Sequence, residues 1–434
     1  MDRTTWLDGL RGIAAAIVAT DHYFMGGVLD AGFRSYWADP PEENRRLIQL
    51  PPLRLLFAAH AMVPLFLVIS GYAISINLLH LRNSSSSDFF GRLSSAVTRR
   101  IFRIYLPVFV IATISQILFF CNLYQWDFGD DVVWGRRPWT APWQHITFLV
   151  GYMMDIMNII ILRDPPGLNG QLWTMPREFR GSCVVYIVVL GMAFWRPQLR
   201  HIAIASIMAY WFYLGQWDIF AFLAGLYLAE MRVLAGARIA NQVPILPFYR
   251  LVSWAPKIRS IDFTTIRTAF CFLVGFYLIC LGDDGHLPPG YQFLSIFESP
   301  RWENDWNILS RCWKTVGSVL FVYAVGTSPY LQRPFNSAPI QYLGKISFSL
   351  YLVHQSIYHL IRDPVRNSLW LIAAGEPYPR TEAGSNYAIL FAFTWLTTFV
   401  VMSSINLYAA HLYTRYIDER CVDIARKIDR WITR

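Results

Sequence analysis

An arginine and a histidine eleven positions apart, Arg11 and His22, stand in the first apolar stretch of this chain, Leu7-Asp-Gly-Leu-Arg-Gly-Ile-Ala-Ala-Ala-Ile-Val-Ala-Thr-Asp-His22. On an α-helix, eleven steps of about 100° return a side chain to nearly the same face, and a rise of about 1.5 Å per residue sets the two about 16 Å apart. The pair therefore looks into one space at two depths. A guanidinium binds phosphate or carboxylate through paired N–H groups in a fixed fork. An imidazole exchanges protons near neutral pH. In a helix that crosses a bilayer, one of the two lies near a headgroup surface and the other well inside the hydrocarbon. There an ionisable group costs roughly 2.5 to 3.5 kcal/mol on insertion scales, which makes it a candidate for function.

Other polar residues could join them. Arg100 and Arg103 open a later apolar run, and with Arg11 they would form a cationic mouth for phosphate. For Arg99 and Arg100 alone, anchoring at the cytosolic surface is the competing reading. Arg11 lies within the small-residue run from Gly9 to Ala16, which suits packing against a neighbouring helix rather than lipid. Asp21 is not the natural orienting partner of His22, because adjacent helical side chains point about 100° apart. A carboxylate from elsewhere is needed, and Glu178, in Leu172-Trp-Thr-Met-Pro-Arg-Glu-Phe-Arg180, is one candidate. Pro176 suits a first helical turn, so Glu178 could equally complement a helix dipole. His354, which closes Ser347-Phe-Ser-Leu-Tyr-Leu-Val-His354 and is expected to be buried midway along its helix, reads as a site histidine or as a packing residue.

The elements that must hold these groups are membrane helices. The chain has 434 residues, of which 55% are hydrophobic, 16% aromatic and only 15% charged. That composition excludes an ordinary soluble enzyme and indicates an all-α, polytopic membrane protein. Runs long enough to span, at about 20 apolar residues each, fall near 10–29, 55–79, 101–121, 180–195, 202–214, 216–232, 265–281, 308–325, 340–361 and 387–413. That is about ten transmembrane helices. A further run at 145–162 is interrupted by Asp155 and Asn158 and reads as re-entrant or surface-lying.

Ten spans place both termini on one side, together with Arg99, Arg196, Arg200, Lys257, Arg259 and the basic tail from 413 to 434. The positive-inside bias assigns that side to the cytosol. The net charge of +9 follows this topology and does not imply nucleic acid. The segment 88–98 could form a short surface helix. Asn83-Ser84-Ser85 matches a glycosylation acceptor but faces the cytosol on this topology. Trp126, Trp134, Trp139 and Trp143 suggest an interfacial aromatic belt. Six scattered cysteines show no metal-ligand spacing, so no metal is expected. The first helix is expected to remain as a signal anchor, and the whole of 1–434 reads as a single membrane domain.

At these residues the sequence resembles the integral-membrane acyltransferase type 3 family, and its pattern looks closer to fungal O-acyltransferase members than to bacterial ones. The Leu7 to Arg11 start with His22 matches the first-helix pattern. Val63-Pro-Leu-Phe-Leu-Val-Ile-Ser-Gly-Tyr72, Arg100-Ile-Phe-Arg103 with Pro107, Leu172-Trp173 with Glu178, and Leu343-Gly-Lys-Ile-Ser-Phe-Ser-Leu-Tyr-Leu-Val-His354 match further segments in order. The departures are Met175-Pro176-Arg177 before Glu178, which bears on the role of Glu178, and the lack of an appended hydrolase-like domain.

The resemblance implies an acyl-CoA co-substrate, usually acetyl-CoA, with no permanently bound cofactor. Arg11, Arg100 and Arg103 would hold its phosphates, His22 and Glu178 would be catalytic, and Ser70, Tyr72, Trp173 and His354 would line the site. It also implies transfer to a hydroxyl of a small-molecule or sugar acceptor, in secondary metabolism, at the endoplasmic reticulum or another endomembrane. The alternative is a transporter or flippase with Arg11 and His22 along a polar path. That would call for paired, Gly/Pro-broken helices in two related halves, and no such halving is visible.

Overall fold

The computed structural model describes residues 4–25, 30–84, 87–125, 137–163, 167–241, 263–379 and 387–433. The described residues form helices and connecting turns, with no strand among them. In chain order the longer helices are α1 (Thr5–Phe24), α2 (Ala59–Asn83), α3 (Phe89–Phe120), α4 (Pro142–Met157), α5 (Thr174–Gly191), α6 (Pro197–Tyr213) and α7 (Trp217–Asn241). They continue with α8 (Phe263–Ile279), α9 (Trp306–Thr327), α10 (Ala338–Ile357), α11 (Asp363–Ala374), α12 (Ala388–Tyr413) and α13 (Glu419–Ile432).

Five helical stretches among the described residues are long and apolar enough to cross a membrane: α2, α3, Trp217–Gly236 of α7, α9, and the run Ala388–Ile432 that contains α12. Helix α8 is apolar but shorter. Helix α1 falls outside that set because Asp8, Arg11 and Asp21 interrupt its apolar character. The structure turns its apolar face inward: Leu7, Leu10, Ala14, Ala15 and Val18 are all buried.

Two boundaries differ from the sequence reading. The segment 88–98 is not a separate surface helix but the first third of α3, which runs through Pro107 without breaking. The tail beyond 413 stays helical through a π-type turn, Thr414–Asp418, into α13. Asp429 of α13 accepts a hydrogen bond from Ser95 (2.5 Å) and pairs with Arg99 (3.5 Å), which ties the tail to the start of α3. Helix α4 ends where the polar interruption implied. Asn158 Oδ1 accepts the N–H groups of Ile160 (3.1 Å) and Ile161 (2.9 Å), a local bond that competes with another helical turn. Trp139 packs edge-on against Phe119 and Trp143 is exposed, whereas Trp126 and Trp134 lie outside the described residues, as do Ser85, Lys257 and Arg259.

The pair α1 and α10 organises the interior. A Cβ on Gly12 would overlap the backbone of Leu343 and Gly344, and a Cβ on Gly344 would overlap that of Asp8. The two backbones therefore touch, an approach that small residues permit between membrane helices. Ten residues further along each chain, His22 meets His354. The register is the same at both contacts, so the helices run parallel. Tyr358 locks the far end by donating to the Ala19 carbonyl (2.9 Å).

The second organising feature is the entry to α5. The stretch from Asn169 to Trp173 is a buried turn. Asn169 donates to Ser356 (2.9 Å) and Gln171 to the Leu352 carbonyl (2.8 Å), while Tyr351 donates to the Gln171 carbonyl (2.7 Å). Irregular backbone is tolerated inside such a bundle when protein groups satisfy it. As a result α5 begins inside the molecule, with Glu178 in its second turn.

Candidate active site

A cavity of about 210 Å³ opens between α1, α2, α3, α5 and α10. Arg11, Arg100 and Arg103 all line it, as do Ser70 and Glu178. The three guanidiniums named from the sequence thus converge, from α1 and from two positions one turn apart on α3. Lys345 and Asp418 complete the polar rim, giving four cationic groups against two carboxylates.

The three arginines are not equivalent. Arg100 is paired with Glu178, and its Nε donates to Ser182 (3.0 Å). Glu178 Oε1 also accepts from Ser70 (2.6 Å), and Ser182 donates back to the Glu178 carbonyl (2.8 Å). This closed set holds one guanidinium and one carboxylate in place and makes them nearly neutral together. Arg11 and Arg103 have no ion pair among the described residues, so the positive charge available to an incoming anion is theirs.

His22 lies deeper. Its Nδ1 is 2.8 Å from His354 Nε2, and His354 Nδ1 is 3.1 Å from the Leu350 carbonyl oxygen. The cavity stops at Tyr351, whose hydroxyl is 2.8 Å from Thr174 Oγ1 and whose ring lies 6.0 Å from that of His354. Arg11 and His22 therefore lie along one side of α1, but of the two only Arg11 borders the open space.

Three expectations from the sequence change with these contacts. Glu178 does not orient His22, because its oxygens are engaged by Ser70 and Arg100 and the partner of His22 is His354. Tyr72 does not line the cavity: two residues past Ser70 on the same helix, it faces away and packs edge-on to Trp6 at 6.4 Å. Trp173 also lies elsewhere. Its ring sits beneath Arg177 (4.6 Å) and Arg311 (4.8 Å), beside a second cavity of about 370 Å³ lined by Trp217, Arg180 and Asp218. Asp21 behaves as its helical direction implied, accepting the N–H of Ala59 (3.2 Å) at the start of α2.

Sequence reasoning missed Tyr351, Ser182, Lys345 and Asp418. Two of them had a spacing signal. Tyr351 stands three residues before His354 and Ser182 four after Glu178, the separations that share a helical face.

The chain belongs to the acyltransferase family, whose domain pattern matches residues 4–410. It is similar to the O-acetyltransferase PaAT-1 of Phomopsis amygdali, at 26% identity over 93% of this chain and 82% of that protein. It is also similar to the acyltransferase clz18 of Cochliobolus lunatus, at 23% identity over 97% of this chain and 95% of the other. No solved structure matches it. The protein is an integral-membrane enzyme that transfers acyl groups, and the transporter alternative is not favoured.

Proposed function

We propose that the protein is a membrane-bound O-acyltransferase that moves an acyl group, usually acetyl, from acyl-CoA to a hydroxyl of a small-molecule or sugar acceptor. One observation carries this reading. Two guanidiniums without an ion pair among the described residues, Arg11 of α1 and Arg103 of α3, line one cavity, and a hydrogen-bonded imidazole, His22, stands three turns along α1 from the first. The nucleotide phosphates of the donor bind at Arg11 and Arg103, with Arg100 held beside them by Glu178. The donor's flexible arm then carries the thioester inward past Tyr351. On this reading the arginine-rich end is cytosolic, the chain crosses the membrane ten times and both termini are cytosolic.

His22 accepts the proton of the acceptor hydroxyl while that oxygen bonds to the thioester carbonyl carbon. The C–S bond then breaks, the ester leaves, and the CoA thiolate takes the proton back from His22. A positioned general base contributes about 10² to 10⁴ in rate. Purified protein incubated with labelled acetyl-CoA and candidate acceptors should therefore release free CoA, and His22→Ala should lower turnover by about that factor at equal protein level. Wild-type turnover in the variant would remove His22 from the chemistry.

A further inference from the structure

The proposed function leaves open what holds His22 in the protonation form a base requires. In many hydrolytic sites a carboxylate does so, by accepting the imidazole N–H that faces away from the substrate. Here no carboxylate contacts His22 among the described residues, and its ring partner is a second imidazole. The geometry of that contact is restrictive. The ring planes are within 15° of each other and the ring centres are 5.0 Å apart. That separation is what the 2.8 Å N···N distance plus the two ring radii add up to when rings lie edge to edge in one plane. The rings are not stacked face to face. A nitrogen lone pair lies in the ring plane, so this arrangement points the lone pair of one ring at the N–H of the other.

Which ring donates is set one step further out. His354 Nδ1 lies 3.1 Å from the Leu350 carbonyl oxygen, and a carbonyl can only accept. His354 Nδ1 therefore carries the hydrogen. In the neutral ring Nε2 is then the acceptor, and the shared hydrogen belongs to His22 Nδ1. The remaining nitrogen of His22, Nε2, is left with its lone pair and has no partner among the described residues. His22 is half-buried while His354 is fully buried, so of the two residues His22 is the more accessible.

We propose that His354 is a positioning residue. Its chain of contacts, Leu350 carbonyl to His354 to His22, fixes the tautomer that presents His22 Nε2 as the base, and its Nε2 lone pair stabilises the imidazolium once the acceptor proton arrives. The inference rests on the reading of His22 as the base. It gives His354 the part that sequence reasoning sought in Glu178, with a neutral group in place of a carboxylate. A neutral partner suits a membrane interior, where a buried carboxylate would need its own counter-ion.

Two substitutions and one spectrum test it. His354→Gln can place an amide oxygen near the position of Nε2 and accept from His22, so its kcat should stay within about tenfold of wild type. His354→Leu fills similar space but cannot accept, and its kcat should fall by about 10² or more, as losing the tautomer-fixing partner does elsewhere, with the KM for acetyl-CoA unchanged. Nitrogen-15 spectra of histidine-labelled protein should show His22 protonated at Nδ1 in wild type and in His354→Gln, and mixed tautomers in His354→Leu. A folded His354→Leu protein with full kcat would overturn the proposal. So would equal loss in folded Gln and Leu variants, or a wild-type His22 protonated at Nε2. If the base reading itself fails, His22→Ala stays active, whereas the tautomer measurement still reports on the His22–His354 contact.

Discussion

The protein sets arginine against glutamate in two places, and the two differ in what they leave over. Where the end of α2 and the start of α6 meet the middle of α7, Glu230 accepts from Arg82 (2.5 Å) and from Arg200 (2.8 Å), with side-chain exposures of 0% for the glutamate, 4% for Arg82 and 5% for Arg200. Arg200 also donates to the Trp195 carbonyl and to Asn83 Oδ1, so its donors are turned inward. In the cavity, Glu178 and Arg100 are 16% and 18% exposed, and two further guanidiniums, Arg11 and Arg103, stand nearby with no ion pair among the described residues. The first cluster is sealed and joins three helices. The second is open and has charge to spare. Equivalent residue types thus form a sealed clasp in one place and, on the proposed reading, a phosphate receptor in the other, and access separates the two.

This contrast can be broken from either side. The largest effect is expected at Glu230, where removing one partner strands buried charge and costs about 3 to 5 kcal/mol. Glu230→Ala should sharply lower the thermal midpoint or the folded yield of the detergent-solubilised protein, and a variant as stable as wild type would mean that the clasp is not structural. Arg103→Ala should leave stability near wild type and raise the KM for acetyl-CoA. Hydrogen bonds to charged groups contribute about 1.5 to 3 kcal/mol, or about 10- to 150-fold. An unchanged KM would remove Arg103 from donor binding. The smallest effect is expected at Trp173, whose two guanidinium contacts contribute about 0.5 to 1 kcal/mol each at exposed sites. Trp173→Ala should lower stability slightly and leave the donor KM within about twofold, and a large KM change would bring the second cavity into the donor site.

Much of the site could be read from spacing along a helix. Arg11 with His22, and Arg100 with Arg103, lie on shared faces because the period of 3.6 is a local property of the backbone, and the cavity confirms that the three arginines meet. The helical character of the chain and the interruption at Asn158 could be read for the same reason. The pairing of His22 with His354 could not, since it depends on the offset at which α1 and α10 dock across 332 residues of chain. Nor could the partner of Glu178. It depends on a buried turn at 169–173 whose bonds to α10 set where α5 begins.

The sequence by itself determined that this is a helical membrane protein with cationic and imidazole groups spaced along one helix, because hydropathy and helical periodicity are properties of neighbours in the chain. Only the tertiary structure decided which arginine is spent on a carboxylate, that His22 and His354 meet, and that Trp173 packs against Arg177 and Arg311 beside a different cavity. Those outcomes follow from contacts between distant segments, where close backbone approach, as at Gly12 and Gly344, fixes the register and with it every side-chain partner along the interface.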